Sequence, residues 1–160
     1  MYKTWSIFLW AVTLIACQTT TVIAREEVVG LIDSQALLAQ FPQFNDQYQN
    51  YSPTPLELQA IKRIEGKALV VLFGTWCHDS VREVPRLLKT LALADVNLSA
   101  LQLLAVDTDK QLPGAAQRAY DLLYTPTFIL FEGERELGRV IERPTVTLAQ
   151  DLAALLPGSH

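Results

Sequence analysis

The sequence predicts an α/β domain in which a mixed β-sheet lies between helices, and three observations carry that reading. Ala68-Leu69-Val70-Val71-Leu72-Phe73 is a continuous apolar run rich in branched side chains, the pattern of a central strand covered on both faces. Just after it the period changes: Val81, Val84, Leu87, Leu88 and Leu91 recur at three and four residues, which puts one apolar stripe along a helix. Strand and helix signals then alternate until a hairpin and a last helix close the chain.

Length and composition fit one domain with short attachments, because 160 residues of which 50% are apolar can bury one sizeable core. The formal charge of -4 and the pI near 5.1 argue against a nucleic-acid partner, which would require clustered Lys and Arg. Here the basic residues are scattered.

Ahead of the domain, Lys3 precedes an uncharged apolar run from Trp5 to Ala16. That run is shorter than the roughly 20 residues of a membrane-spanning helix, and a cationic start before a short apolar core is the plan of an export signal. The end of the run, Leu14-Ile15-Ala16-Cys17, resembles the lipobox of bacterial lipoproteins, in which the Cys is lipidated after cleavage. Gln18 follows, and by that resemblance a residue other than Asp directs a lipoprotein to the outer membrane. The alternative is ordinary cleavage after Val22-Ile23-Ala24, with Cys17 discarded. In both cases the mature protein keeps one free thiol, Cys77, in an oxidising compartment.

The elements are expected in the following order. A short strand runs over Glu27–Ile32, and Ser34 caps a helical turn through Leu37 and Leu38. Gln40 to Pro53, rich in Gln, Asn, Tyr, Phe and Pro, reads as an irregular arm. The arm's aromatics, Phe41, Phe44, Tyr48 and Tyr51, either fasten it to the core or line a groove. Thr54-Pro55-Leu56-Glu57 combines a capping Thr, a Pro at the first helical position and a Glu reaching back, so a helix starts there and ends at Gly66. The strand from Ala68 leads into Trp76-Cys77, and the next helix carries Pro85, which should kink it. Leu101 to Val106 is a second buried strand, and Ala115 to Leu123 a short helix. Thr127-Phe128-Ile129-Leu130-Phe131, a turn at Glu132-Gly133-Glu134 and a strand through Leu137–Ile141 form a hairpin. The last helix starts at Thr147 with Gln150 as its box partner and buries Leu148, Leu152, Leu155 and Leu156.

Four of these features coincide in an order that resembles the thioredoxin family over roughly Glu27 to Leu156. A buried strand runs into Trp76-Cys77, Pro85 follows eight residues after the Cys, Thr125-Pro126 precedes a strand, and a hairpin turn with Gly133 comes next. The resemblance implies a thioredoxin fold with an N-terminal extension, divided as 1–24 signal peptide (lipobox 14–17), 25–53 strand and arm, and 54–157 thioredoxin-like domain. It also implies that Pro126 is cis and faces Cys77, leaving the backbone at Thr125 and Pro126 free to pair with an extended substrate. A Cys at the N-terminus of a helix meets unpaired N–H groups and the positive end of the dipole, which favour the thiolate nucleophile.

The departures from the family narrow the chemistry. The second Cys of a dithiol reductase stands three residues after the first; here that position is Ser80, and a hydroxyl cannot resolve a mixed disulfide. The family's buried acid, six residues before the first Cys, is Val71 here. His78 either stabilises a thiolate or merely faces solvent at the helix start. Asp79 and Ser80 suit a first helical turn, and Ser80 can also reach the Cys77 sulfur. An acid at Asp79 works against the thiolate. No metal or other cofactor is expected, because His78 adjoins Cys77 and only His160 remains elsewhere.

The expected function is thiol-disulfide exchange through the single nucleophile Cys77, aided by Trp76, His78 and Ser80, on disulfide-containing proteins or low-molecular-weight thiols in the cell envelope. The competing readings are a non-catalytic module that holds peptides beside Thr125-Pro126 and a single-thiol redox sensor.

Overall fold

The computed structural model describes residues 28–112 and 120–158. The leader, Cys17, His160 and most of the helix expected over 115–123 lie outside them. Five strands, β1 (Gly30–Ile32), β2 (Ala68–Phe73), β3 (Ala100–Ala105), β4 (Thr127–Glu132) and β5 (Arg135–Ile141), form one sheet in the order β1-β3-β2-β4-β5. β2 runs parallel to β3 and antiparallel to β4; β1 and β5 pair antiparallel with β3 and β4 at the two edges. This is the mixed sheet expected of the α/β class, and helices flank it.

Because side chains alternate across a strand, β2 serves two cores. Leu69, Val71 and Phe73 enter a large cluster with Leu37, Phe44, Ile61, Val84, Leu87, Phe128, Leu130 and Leu152. Val70 and Leu72 point the other way, against Leu104, Val106, Leu112, Leu122 and Ile129. The large cluster is built by α1 (Ser34–Gln40), α2 (Pro42–Asn50), α3 (Pro55–Ile61), α4 (His78–Ala94) and α5 (Leu148–Ala154).

The arm departs from expectation. Residues 42–50 form a helix, started by Pro42 in its first turn, and Phe41 and Phe44 are buried. Phe44 meets Phe73 edge to face at 5.8 Å between ring centroids, while Lys89 and Arg86 of α4 lie over the rings of Tyr48 and Tyr51. The aromatics therefore fasten this segment to α4, and its polar composition reflects its outer face. At the start of α1 the cap is Asp33, whose carboxylate takes the Gln35 and Ala36 N–H groups, and not Ser34. β1 is shorter than expected and β5 starts two residues earlier, at Arg135.

The α3 start is as expected: the Thr54 hydroxyl oxygen accepts from the Glu57 N–H and the Glu57 carboxylate accepts from the Thr54 N–H. The α5 start has half of this device: Thr147 Oγ1 accepts from the Gln150 N–H, while the Gln150 Oε1 expected to take the Thr147 N–H accepts from its hydroxyl instead. Leu155 and Leu156 are half-buried, and Leu155 packs against Gly138. α4 runs unbroken through Pro85, which removes one backbone donor but sits buried against the core.

Candidate functional site

At the end of β2 the chain turns into α4 within four residues, and Gly74, the first of them, leaves room for the Trp76 indole. A side chain at Gly74 would come within 2.6 Å of the Trp76 indole, which lies across the backbone there. The same indole donates from Nε1 to the Val106 carbonyl at 3.3 Å, so Trp76 is anchored between the ends of β2 and β3 with 41% of its surface exposed. The Cys77 N–H closes the turn on the Gly74 carbonyl at 3.1 Å.

Cys77 is the N-cap of α4, in extended backbone conformation, and its carbonyl accepts the Val81 N–H at 2.9 Å. Its side chain makes no capping bond; the thiol donates to the Thr125 carbonyl at 3.2 Å. The Thr125-Pro126 peptide is cis. The Pro126 carbonyl accepts from the Glu142 N–H at 2.7 Å, and Thr127 Oγ1 donates to the Tyr124 carbonyl at 2.7 Å. The loop before β4 is thus pinned on both sides of the residue that meets the thiol. Among the described residues Cys77 is the one cysteine, and it is partly exposed.

Of the residues expected at the site, Trp76, Cys77, Thr125 and Pro126 come together. Ser80 is fully buried and its oxygen accepts the Gly74 N–H at 3.2 Å; it makes no hydrogen bond to the Cys77 sulfur. The His78 side chain is 86% exposed, with Nδ1 3.8 Å from Asp79 Oδ1, beyond hydrogen-bond reach. Asp79 is mostly buried and is gripped by Arg82 at 2.8 Å and by Arg143, from the loop after β5, at 3.2 Å. Burial alone would raise the Asp79 carboxyl; the hydrogen bonds and charges of Arg143 and Arg82 outweigh it and hold the group below its ordinary value of 3.8.

Sequence reasoning missed Gly74 and Arg143. A Gly just after a buried strand and two residues before a Trp was a usable sign of close backbone approach. Nothing in the sequence pairs Arg143 with a residue 64 positions away. Among the described residues no three His, Cys, Asp or Glu side chains are grouped to hold a metal ion, and no helix is long and apolar enough to cross a membrane.

A five-stranded mixed sheet in this order, with the thiol where β2 gives way to α4 and Thr125-Pro126 opening β4, decides the architecture. The fold is thioredoxin-like. No family model matches the chain, and no curated protein matches it. Solved structures similar to it include a protein of unknown function from Pseudomonas aeruginosa, at 23% identity over 76% of this chain and 70% of that one, with a TM-score of 0.45. An HIV epitope scaffold is similar at 23% identity, over 79% of this chain and 76% of that one, with a TM-score of 0.45. Oxidized mitochondrial thioredoxin 3 from Saccharomyces cerevisiae is similar at 20% identity, over 59% of this chain and 86% of that one, with a TM-score of 0.36.

Proposed function

We propose that this protein exchanges disulfides through Cys77 alone. The observation that carries the reading is the partly exposed Cys77 thiol at the N-terminus of the 17-residue helix α4, with a hydroxyl, Ser80, buried at the third position after it. In the proposed step the Cys77 thiolate attacks one sulfur of a substrate disulfide, forms a mixed disulfide and releases the other sulfur as a thiolate. Ser80 has no sulfur to attack that bond, so an external thiol must displace the substrate and regenerate Cys77. A cycle of this kind suits isomerisation or removal of a small-molecule cap better than net reduction.

The substrates are disulfide-containing proteins or low-molecular-weight disulfides of a bacterial cell envelope. This address rests on the Lys3 to Cys17 run, which would export the chain and anchor it through a lipidated Cys17. Incorporation of a labelled fatty acid into the wild type and its loss in Cys17→Ala test the anchor.

The test of the exchange itself is trapping. Non-reducing gels of cells making the wild type are expected to show adducts that vanish in Cys77→Ala and on adding reductant. Identical patterns for the two proteins would leave a peptide-holding module as the reading.

A further inference from the structure

The polar groups beside Cys77 form an unequal ion network. Two carboxylates, Asp79 and Glu83, lie largely buried on α4, with side-chain exposures of 16% and 4%. Three guanidiniums face them. Arg82 is shared, donating from Nε to Glu83 at 2.6 Å and lying 2.8 Å from Asp79 through Nη1. Arg86 reaches Glu83 at 3.5 Å. Arg143 spans both Asp79 oxygens from Nε, at 3.2 and 3.3 Å. Since Arg82 divides its charge between two acids, Arg143 is the cation committed to Asp79 alone.

The position of this pair matters because Asp79 stands two residues after Cys77, in the first turn of the helix. A bare carboxylate there opposes the development of negative charge on the sulfur. Among the described residues, His78 follows Cys77 on its own helix, Glu142 adjoins Arg143 in the loop after β5, Tyr124 precedes the Thr125 whose carbonyl takes the thiol, and Asp107 follows the Val106 carbonyl that holds Trp76. Arg143 is 70% exposed, so the core does not require it. Its neighbour Glu142, in the left-handed region at φ 56°, donates its N–H to Pro126 and so delivers Arg143 from the cis-peptide side of the site to the thiol helix.

We propose that Arg143 is a positioning and charge-neutralising residue for Cys77: by occupying Asp79 it offsets the carboxylate's charge beside the sulfur and so favours attack by Cys77. The inference deepens the exchange reading and rests on it for its purpose. Its test measures the sulfur directly, so the two can fail separately.

The experiment alkylates the full chain with iodoacetamide and follows the Cys77 peptide by mass spectrometry, in wild type, Arg143→Gln, Asp79→Asn and the double variant. In a water-like dielectric two unit charges several ångström apart interact by roughly the thermal energy, which changes a rate that depends on ionisation by about threefold. At about pH 7 and low salt, Arg143→Gln should therefore react about threefold more slowly, Asp79→Asn about threefold faster, and the double variant close to wild type. In about 1 M salt the differences should shrink, as the Debye length falls to about 3 Å. At about pH 10, above the ordinary thiol value of about 8.5, all four rates should converge. Single variants that move the rate in the same direction, or differences that persist at about pH 10, would overturn the inference. The trapping result leaves this outcome untouched, because alkylation requires no partner protein.

Discussion

The oxygen of Ser80 accepts the Gly74 N–H at 3.2 Å, so the residue at the resolving position holds the loop that presents Cys77. Replacing Ser80 by Ala leaves a buried N–H without its acceptor, which costs about 1–3 kcal/mol, and thermal unfolding should show the loss. Replacing Ser80 by Cys should have a further effect. With a thiol three residues after Cys77, the variant is expected to reduce insulin with dithiothreitol as donor, in a turbidity assay where the wild type and Ser80→Ala stay inactive. A folded but inactive Ser80→Cys would refute the proposed site geometry.

Gly74 makes a second prediction, because its Cβ would sit 2.6 Å from the Trp76 ring. Gly74→Ala should displace the indole, red-shift its fluorescence and lower the melting temperature. In a Trp76→Ala background the same change should have little effect, since the atoms nearest that Cβ are gone. Equal destabilisation in both backgrounds would show that Gly74 serves the backbone instead.

The helices of the arm supply a third. Phe44 is fully buried and packs on Phe73 of the thiol strand. Phe44→Ala should cost about 3–5 kcal/mol in urea unfolding, the range of large aromatic truncations in a core. A loss below about 1 kcal/mol would mean that the arm is a detachable appendage.

Acid sensitivity follows from Glu57. Burial works to raise its carboxyl, but hydrogen bonds from the Tyr51 hydroxyl and from the Thr54 N–H and hydroxyl prevail and hold it below its ordinary value of 4.5. Burial and the same acid push the Tyr51 hydroxyl above its ordinary range. A carboxyl whose folded value is depressed stabilises the protein above its unfolded value, and that contribution disappears as pH falls through the folded value. The stability gap between wild type and Glu57→Gln should therefore be full at neutral pH and should narrow below about pH 4.5. A gap independent of pH would assign Glu57 a purely geometric role.

The central parts of this architecture were legible because each carried a strong local signal. Ala68–Phe73 is too uniformly apolar to be anything but buried, and the Thr54 box and the Thr147 cap mark helix starts whatever follows. Residues 42–50 were not legible: one buried aromatic, Phe44, suffices once Phe73 and α4 are there to receive it, and a polar nonapeptide does not announce that docking. At the site, the resemblance to the thioredoxin family brought out Trp76-Cys77 and Thr125-Pro126. The grip of Arg143 on Asp79 joins two distant segments and arises only when the loop after β5 returns over the start of α4.

The outermost strand has a consequence for the protein among its neighbours. β5 closes one side of the sheet, and Arg139 pairs with Glu136 at 2.7 Å while Arg135 pairs with Glu132 at 2.8 Å. Another polypeptide seeking to lengthen the sheet there would have to accommodate these paired ions and the irregularity at Leu130/Phe131. Such borders resist fibril growth. A molecule proposed to exchange disulfides with other polypeptides thus carries a margin on which those chains find little purchase.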